Sequence, residues 1–379
     1  MRILYLTSSL SPYDGYGRAS RALIEGMCAR GHDVVALAPG AAAEEAESRP
    51  LKGNATVHPV LGPPREYWQR KSAAIPGAWR VRTFARNADL VHCLVEPYWG
   101  VAGWGSGGRP LVLSVVGTYA IEPFVNRKRA PWGHARSLRR ADCVAAISQY
   151  SLARLTAHLR PRRAEVIPLG VDDSLFQSVV ARRPDPRPLI LSVGAMKPRK
   201  GTLALIRAAA LLAERVRDFE MHLVGDIGED ADYAEQCRRL INDSGLGSRV
   251  FLRGRLEDGE IDGLSRRAWC FALCPENVGQ KFEGFGLVYV EAAARGLASV
   301  ASRDCGAEEF VRHEDTGLLA PQGDPGAIAA ALERMLSDEA LRERLAQSAH
   351  RLAKTAFRWS CCIGRLEELY EGLSRSGSV

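Results

Sequence analysis

Two runs of short apolar segments, each alternating with glycine turns and helices, constrain this chain more than any other feature. Ile3 to Thr7 reads as a buried strand and Ser11 to Gly17 as a turn. Arg18 to Arg30 reads as an amphipathic helix stopped at Gly31, and Asp33 to Ala38 as the next strand. Parallel strands need such a crossover, so this is a βαβ unit. Leu90 to Val95, Leu111 to Val116, Cys143 to Ile147 and Glu165 to Pro168 continue the strands, with helical pieces at Trp132 to Arg140 and Tyr150 to Leu159. The segment 181–188 holds three prolines and three arginines and reads as a linker. The alternation then restarts, with strands at Leu189 to Val193, Glu220 to Val224, Val250 to Arg253, Cys270 to Cys274, Ser299 to Ala301 and Gly317 to Ala320. Its helices are expected at Leu203 to Arg215, Pro325 to Ser337 and Asp338 to Phe357. At 379 residues, two domains fit better than one core. The expected class is α/β, with two Rossmann-like, doubly wound parallel sheets facing a central cleft. Their limits are expected at 1–182 and 189–357, joined by a linker at 183–188.

The second run contains Lys281 to Val300, KFEGFGLVYVEAAARGLASV, the richest twenty residues for chemistry. Glu283 precedes Gly284, Phe285 and Gly286, and a breaker-free, alanine-rich run follows to Arg295 before Gly296. The glycines permit an unusual backbone path and close approach of a ligand. Leu287 to Arg295 is predicted to be a helix stopped at Gly296. A helix opening directly from a glycine turn offers free N–H groups and a positive dipole end, which suit a phosphate. Glu291 then lies about one turn inside the helix and Glu283 in the loop before it. Taken alone, the same residues also fit an ordinary turn into a buried helix.

Composition narrows the partners without choosing among them. The net charge of +7 admits a nucleotide, a phospholipid or nucleic acid, but no recognised nucleic-acid-binding module is present. The nine cysteines are odd in number, lie mostly in apolar runs and include no CxxC, so neither a disulfide framework nor a zinc site is indicated. The first turn is not GxGxxG and no acidic residue closes the second strand, which disfavours a nicotinamide-dependent oxidoreductase. The N-terminus lacks the apolar core and cleavage site of a signal peptide, and no apolar run is long enough to span a membrane. The expected address is the cytoplasm, or the inner face of the membrane.

Taken in order, the motifs resemble the retaining glycosyltransferases of family 4, which have the GT-B fold. The resemblance runs nearly the whole chain. Its acidic pair with seven intervening residues is Glu283 to Glu291, followed by Ala292-Ala293-Ala294-Arg295-Gly296, Gly306-Ala307-Glu308-Glu309, Thr316-Gly317-Leu318-Leu319 and Gly323-Asp324. Upstream, Ile167 to Asp172, Ala141-Asp142 to Ser148, Asp89 to His92 and Arg30-Gly31-His32 also have family counterparts. The resemblance implies transfer of a sugar from a nucleotide diphosphate sugar to a hydroxyl acceptor, with retention and with no cofactor or metal. It implies that Glu291 holds the ribose and Glu283 the transferred sugar. The amides of Phe285 to Leu287, in the turn with Gly284 and Gly286, contact the sugar or diphosphate. Lys200 binds the diphosphate, and Gly15 belongs to the N-terminal loop that packs against the phosphates. It also implies an acceptor-binding first domain, a donor-binding second domain, and a C-terminal helix, 358–379, that crosses back to the first. A departing nucleoside diphosphate gains negative charge, which preplaced cations and helix-end amides can stabilise.

Two positions depart from the pattern. Ala195 stands where the family carries a phosphate-binding arginine, and Val116 where it commonly carries a histidine near the sugar. Lys197 or Arg199 could supply the missing charge from the same turn, although lysine does not reproduce an arginine fork. His92 and His134 are the candidate substitutes for the histidine, against the reading of both as structural. These departures leave open a second reading, nucleotide-sugar binding without turnover. In the expected acceptor half, residues 65–86 mix Arg65, Arg70, Lys71, Arg80, Arg82 and Arg86 with Trp68, Trp79 and Phe84. Residues 127–140 add Arg127, Lys128, Arg129, Arg136, Arg139 and Arg140. Such a mixture fits first a solvated basic surface with aromatics in the core, and next an anionic membrane surface or a lipid-linked acceptor.

Overall fold

The first run of strands forms one parallel sheet: β1 (Arg2–Leu6), β2 (Asp33–Pro39), β3 (Thr56–Leu61), β4 (Leu90–Cys93), β5 (Leu111–Val115), β6 (Cys143–Ala146) and β7 (Ala164–Val166). Their spatial order is β3-β2-β1-β4-β5-β6-β7. The computed structural model describes residues 1–69, 71–126, 131–181 and 186–376. Strands β4, β5 and β6 are buried at every position, as a sheet covered on both faces requires. The edge strand β3 was not expected from its half-polar sequence, which contains Pro59. An edge position tolerates both, because one row of backbone groups needs no partner strand.

The second run forms a six-stranded parallel sheet: β8 (Leu189–Val193), β9 (Glu220–Val224), β10 (Val250–Gly254), β11 (Cys270–Ala272), β12 (Ser299–Ser302) and β13 (Gly317–Ala320). Its order is β10-β9-β8-β11-β12-β13. Ile190, Met221 and Leu223 of the sheet pack with Phe219, Ile328, Leu332 and Met335 in its core. Burial of such side chains contributes about 1.5–3 kcal/mol each.

The chain divides into two compact units. One comprises Met1–Gly170 with the segment from Trp359 onward, and the other Val171–Arg358. The division thus precedes the expected limit at residue 182. The reason is local: the Val171 amide donates to the Phe357 carbonyl at 2.8 Å, and Arg358 Nε donates to Asp173 Oδ1 at 2.5 Å. Residues 183–185 of the expected linker lie outside the described residues. The helix Trp359–Ser376 packs on the first unit, where the Tyr370 hydroxyl bonds with the Tyr5 hydroxyl at 3.0 Å. Glu367 on the same helix accepts from Arg30 Nη1 at 2.5 Å and lies 2.8 Å from His32 Nε2. Among the described residues, no helix is long and apolar enough to cross a membrane.

Candidate active site

In each sheet the strand order reverses once, between β1 and β4 and between β8 and β11. Loops leaving the carboxyl ends of those strands diverge and open a crevice where parallel sheets bind ligands. In the second unit these are the loops Gly194 to Gly201 and Leu273 to Gly286, and they carry most of the expected donor residues.

The two loops are locked together through Gly201. Its φ is 67°, and a Cβ there would stand 1.7 Å from the Cys274 carbonyl oxygen. Only glycine allows the turn Pro198–Lys200 to lie this close to the strand β11 exit. That approach sets Arg199 and Lys200 against Glu283. Arg199 Nη1 donates to Glu283 Oε2 at 3.0 Å and Lys200 Nζ donates to the same oxygen at 2.5 Å. Glu283 is only 7% exposed. Burial works against its charge, but Lys200 and Arg199 outweigh it and hold the carboxyl below the usual range. Burial draws Lys200 below the ordinary lysine range, with the Glu283 carboxylate acting the other way. Removing one partner of a buried cluster like this costs about 3–5 kcal/mol, because it leaves charge uncompensated.

Beyond Glu283 the chain turns at Gly286, with φ 79°, into the helix Leu287–Ala294. No side chain caps this helix, so its first amides open onto the loop that carries Glu283. The Phe285 side chain is buried and stacks on Phe357, with ring centroids 5.9 Å apart. It anchors the turn, whose residues Gly284 to Gly286 are all buried. Glu291 lies one turn into the helix and is half-buried.

The remaining expected residues separate. Lys197 turns away from Glu283 and pairs with Glu229 at 2.6 Å, so of the two cations proposed to replace the missing arginine at Ala195, only Arg199 joins the cluster. Gly15 belongs to the first unit. It is the first residue of the helix Gly15–Ala29, which starts ahead of the expected Arg18 because the Asp14 carboxylate caps it, accepting from the Gly17 amide at 2.7 Å. Gly15 is exposed with open space beside it. The pair Asp230 and Asp232 flanks Ala231, and the Asp230 side chain caps the helix Ala231–Asp243. Among the described residues, no group of three or more His, Cys, Asp or Glu side chains is placed to hold a metal ion.

Both candidate histidines of the first unit are core residues. His92 lies between the Tyr370 hydroxyl, 2.5 Å from Nδ1, and the Ser114 hydroxyl, 2.8 Å from Nε2, and burial lowers its pKa to about 3. His134 stacks on Trp99 and burial lowers its pKa to about 4. The residue that sequence reasoning missed is Glu96, just past β4. Its Oε1 accepts from the amides of Val116 and Gly117 at 2.8 and 2.9 Å, while Oε2 is buried without a partner among the described residues. Burial raises its pKa to about 7 against the opposing pull of those amides. The available signal was a carboxylate inside the largely apolar run from Leu90 to Trp99.

Two parallel-sheet domains of this topology, with cations and a carboxylate at the switch point of the second, define the GT-B class. Residues 13–175 match the family described as Glycosyltransferase Family 4, and residues 174–352 match Glycosyl transferases group 1. A D-inositol 3-phosphate glycosyltransferase of Salinispora arenicola is 33% identical over 324 residues, covering 76% of this chain and 69% of that protein. A GDP-mannose-dependent alpha-(1-6)-phosphatidylinositol monomannoside mannosyltransferase of Mycolicibacterium smegmatis is 30% identical over 249 residues. That match covers 61% of this chain and 63% of the relative's length. The crystal structure of a glycosyltransferase from Rickettsia africae superposes with a TM-score of 0.80 at 17% identity, over 98% of both chains. The chain belongs to glycosyltransferase family 4.

Proposed function

We propose that this protein transfers a sugar from a nucleoside diphosphate sugar to a hydroxyl acceptor with retention of configuration and without a metal. The observation that carries the reading is the cluster of the buried Glu283 with the partly buried Lys200 and Arg199, beside the uncapped helix Leu287–Ala294. In this reading Lys200 and Arg199 take the charge that develops on the departing diphosphate, aided by the amides of Phe285 to Leu287. Glu283 orders both cations in advance and accepts from hydroxyls of the transferred sugar. Glu291 holds the ribose. The anomeric carbon–phosphate oxygen bond breaks, the acceptor oxygen bonds to that carbon on the same face, and the acceptor proton passes to the leaving diphosphate. No protein carboxylate is then required as a general base.

Relatives named for GDP-mannose, phosphatidylinositol monomannoside and inositol 3-phosphate support a polyol-bearing acceptor, free or lipid-linked. Contact with an anionic membrane surface is supported by Ile75 and Trp79, exposed by 53% and 65% on the helix Lys71–Ala85 that also carries Arg80. Arg70, Arg127, Lys128 and Arg129 of the expected basic region lie outside the described residues. The deciding experiment incubates the full chain with GDP-, UDP-, ADP- and TDP-sugars and follows release of nucleoside diphosphate, with and without inositol phosphates. Acceptor-dependent release of one nucleotide, with the α-linked product of an α-donor, is the expected result. Tight donor binding with no turnover on any acceptor would favour the reading of a nucleotide-sugar-binding protein. An inverted product would overturn retention.

A further inference from the structure

The amino-terminal edge of the first sheet, opposite the edge where its switch-point loops emerge, carries a second basic site. The helices Lys71–Ala85, Trp99–Gly105 and His134–Arg140 run toward β4, β5 and β6 and pack on one another. Near their ends Arg82, Arg136 and Arg140 converge on a pocket of about 200 Å³, also lined by Trp104, Gly107 and Ser137. None of the residues lining it is acidic. Among the described residues, Arg82 and Arg136 have no carboxylate partner. Three guanidinium groups brought together with no acidic residue in the pocket wall repel one another, which a solvated surface would avoid by spreading them.

Two of the arginines, Arg136 and Arg140, are nevertheless held in place. The Arg136 guanidinium lies 4.5 Å above the Trp104 ring, which stacks on Trp132 with centroids 4.7 Å apart. Arg140 Nη1 donates to the Gly103 carbonyl at 2.7 Å and also to the Ser106 hydroxyl. Burial draws the Arg140 pKa down and Arg82 adds to this, with Asp142 opposing. The buried Ser137 hydroxyl has no partner among the described residues. Cationic forks fixed around a small cavity, with a spare hydroxyl in its wall, match an anion that has several acceptor oxygens.

We propose that this pocket binds a single phosphate group, carried by a free phosphate ester or by a phospholipid headgroup, at a site separate from the sugar-transfer site. The test uses the full chain and the double variant Arg82→Gln, Arg136→Gln, whose two positions are exposed and leave the Arg140 contacts intact. Equilibrium dialysis with inorganic phosphate and with glycerol 3-phosphate measures the free source. Cosedimentation with phosphatidylcholine vesicles, with and without phosphatidic acid, measures the lipid source. The expected result is binding in one arm that weakens about tenfold or more in the double variant and persists in Lys200→Ala. Loss confined to the phosphatidic acid vesicles identifies the lipid headgroup, and loss in dialysis identifies the free ester. Binding that is absent from both arms, or equal in the wild type and the double variant, overturns the site. So does phosphate binding that only Lys200→Ala removes, an outcome that would leave the transfer reading standing.

Discussion

Each sheet of this protein carries a buried carboxylate at its carboxyl edge, and the two live in opposite electrostatic settings. Glu283 follows β11 and faces two cations, which hold it ionised. Glu96 follows β4 and is held by backbone amides, including those of Val116 and Gly117, against which burial prevails, and its pKa rises to about 7. Equivalent topology has therefore produced two different devices. Glu283 presents a fixed charge array suited to a departing phosphate, whereas Glu96 staples the Val116–Gly117 turn and keeps a proton near neutral pH.

The largest expected effect is at the charge array. Lys200→Ala should lower acceptor-dependent turnover by about 10²- to 10³-fold, because it removes a preplaced donor to developing charge. It should also cost about 3 kcal/mol by leaving Glu283 with one partner. Steady-state release of nucleoside diphosphate and urea unfolding measure the two, and unchanged turnover would remove Lys200 from the site. Next comes the staple. Below pH 4.5, where Glu96 holds its proton, Glu96→Ala strands the Val116 and Gly117 amides and should destabilise the protein by about 3 kcal/mol, whereas Glu96→Gln keeps an acceptor and should cost under about 1 kcal/mol. Equal unfolding midpoints for the two variants would show that the amides do not depend on this side chain.

The pH dependence sharpens the contrast through its sign. Glu96 binds its proton more tightly in the folded chain, so its contribution is complete below the ordinary value of 4.5 and is lost as pH rises to about 7. The loss should approach about 3 kcal/mol, read as the difference in unfolding free energy between wild type and Glu96→Gln across that window. Glu283 has the opposite sign, since its stabilisation is present at neutral pH and disappears as pH falls through its lowered pKa. A wild-type curve parallel to that of Glu96→Gln would contradict the assignment of Glu96. The smallest effect is expected at Lys197. Its half-exposed pair with Glu229 is worth about 0.2–1 kcal/mol, and Lys197→Ala should change turnover by less than about threefold. A hundredfold loss would mean that Lys197, and not Arg199, replaces the arginine missing at Ala195.

Much of this was legible before any coordinates. Strands such as Leu189–Val193 and Glu220–Val224 lie where their apolar runs place them, because a strand covered on both faces has little choice of residue. The helix from Leu287 was legible from its alanines and from Gly296. The edge strand β3 and the Asp14 cap were harder to read, since edge burial and a single capping hydrogen bond leave weak traces in a sequence.

The sequence by itself determined the class of fold and the family, because alternation, glycine turns and motif order are local properties carried along the chain. Which charges meet is a long-range matter, and only the tertiary structure decided it. Arg199 and Lys200 lie more than eighty residues from Glu283 and reach it through the close approach at Gly201, while Lys197, two residues from Arg199, is drawn to Glu229. The protonation of Glu96 and the convergence of three arginines on one pocket follow from the same cause. Each depends on what the fold packs around a side chain, which no neighbour in sequence reports.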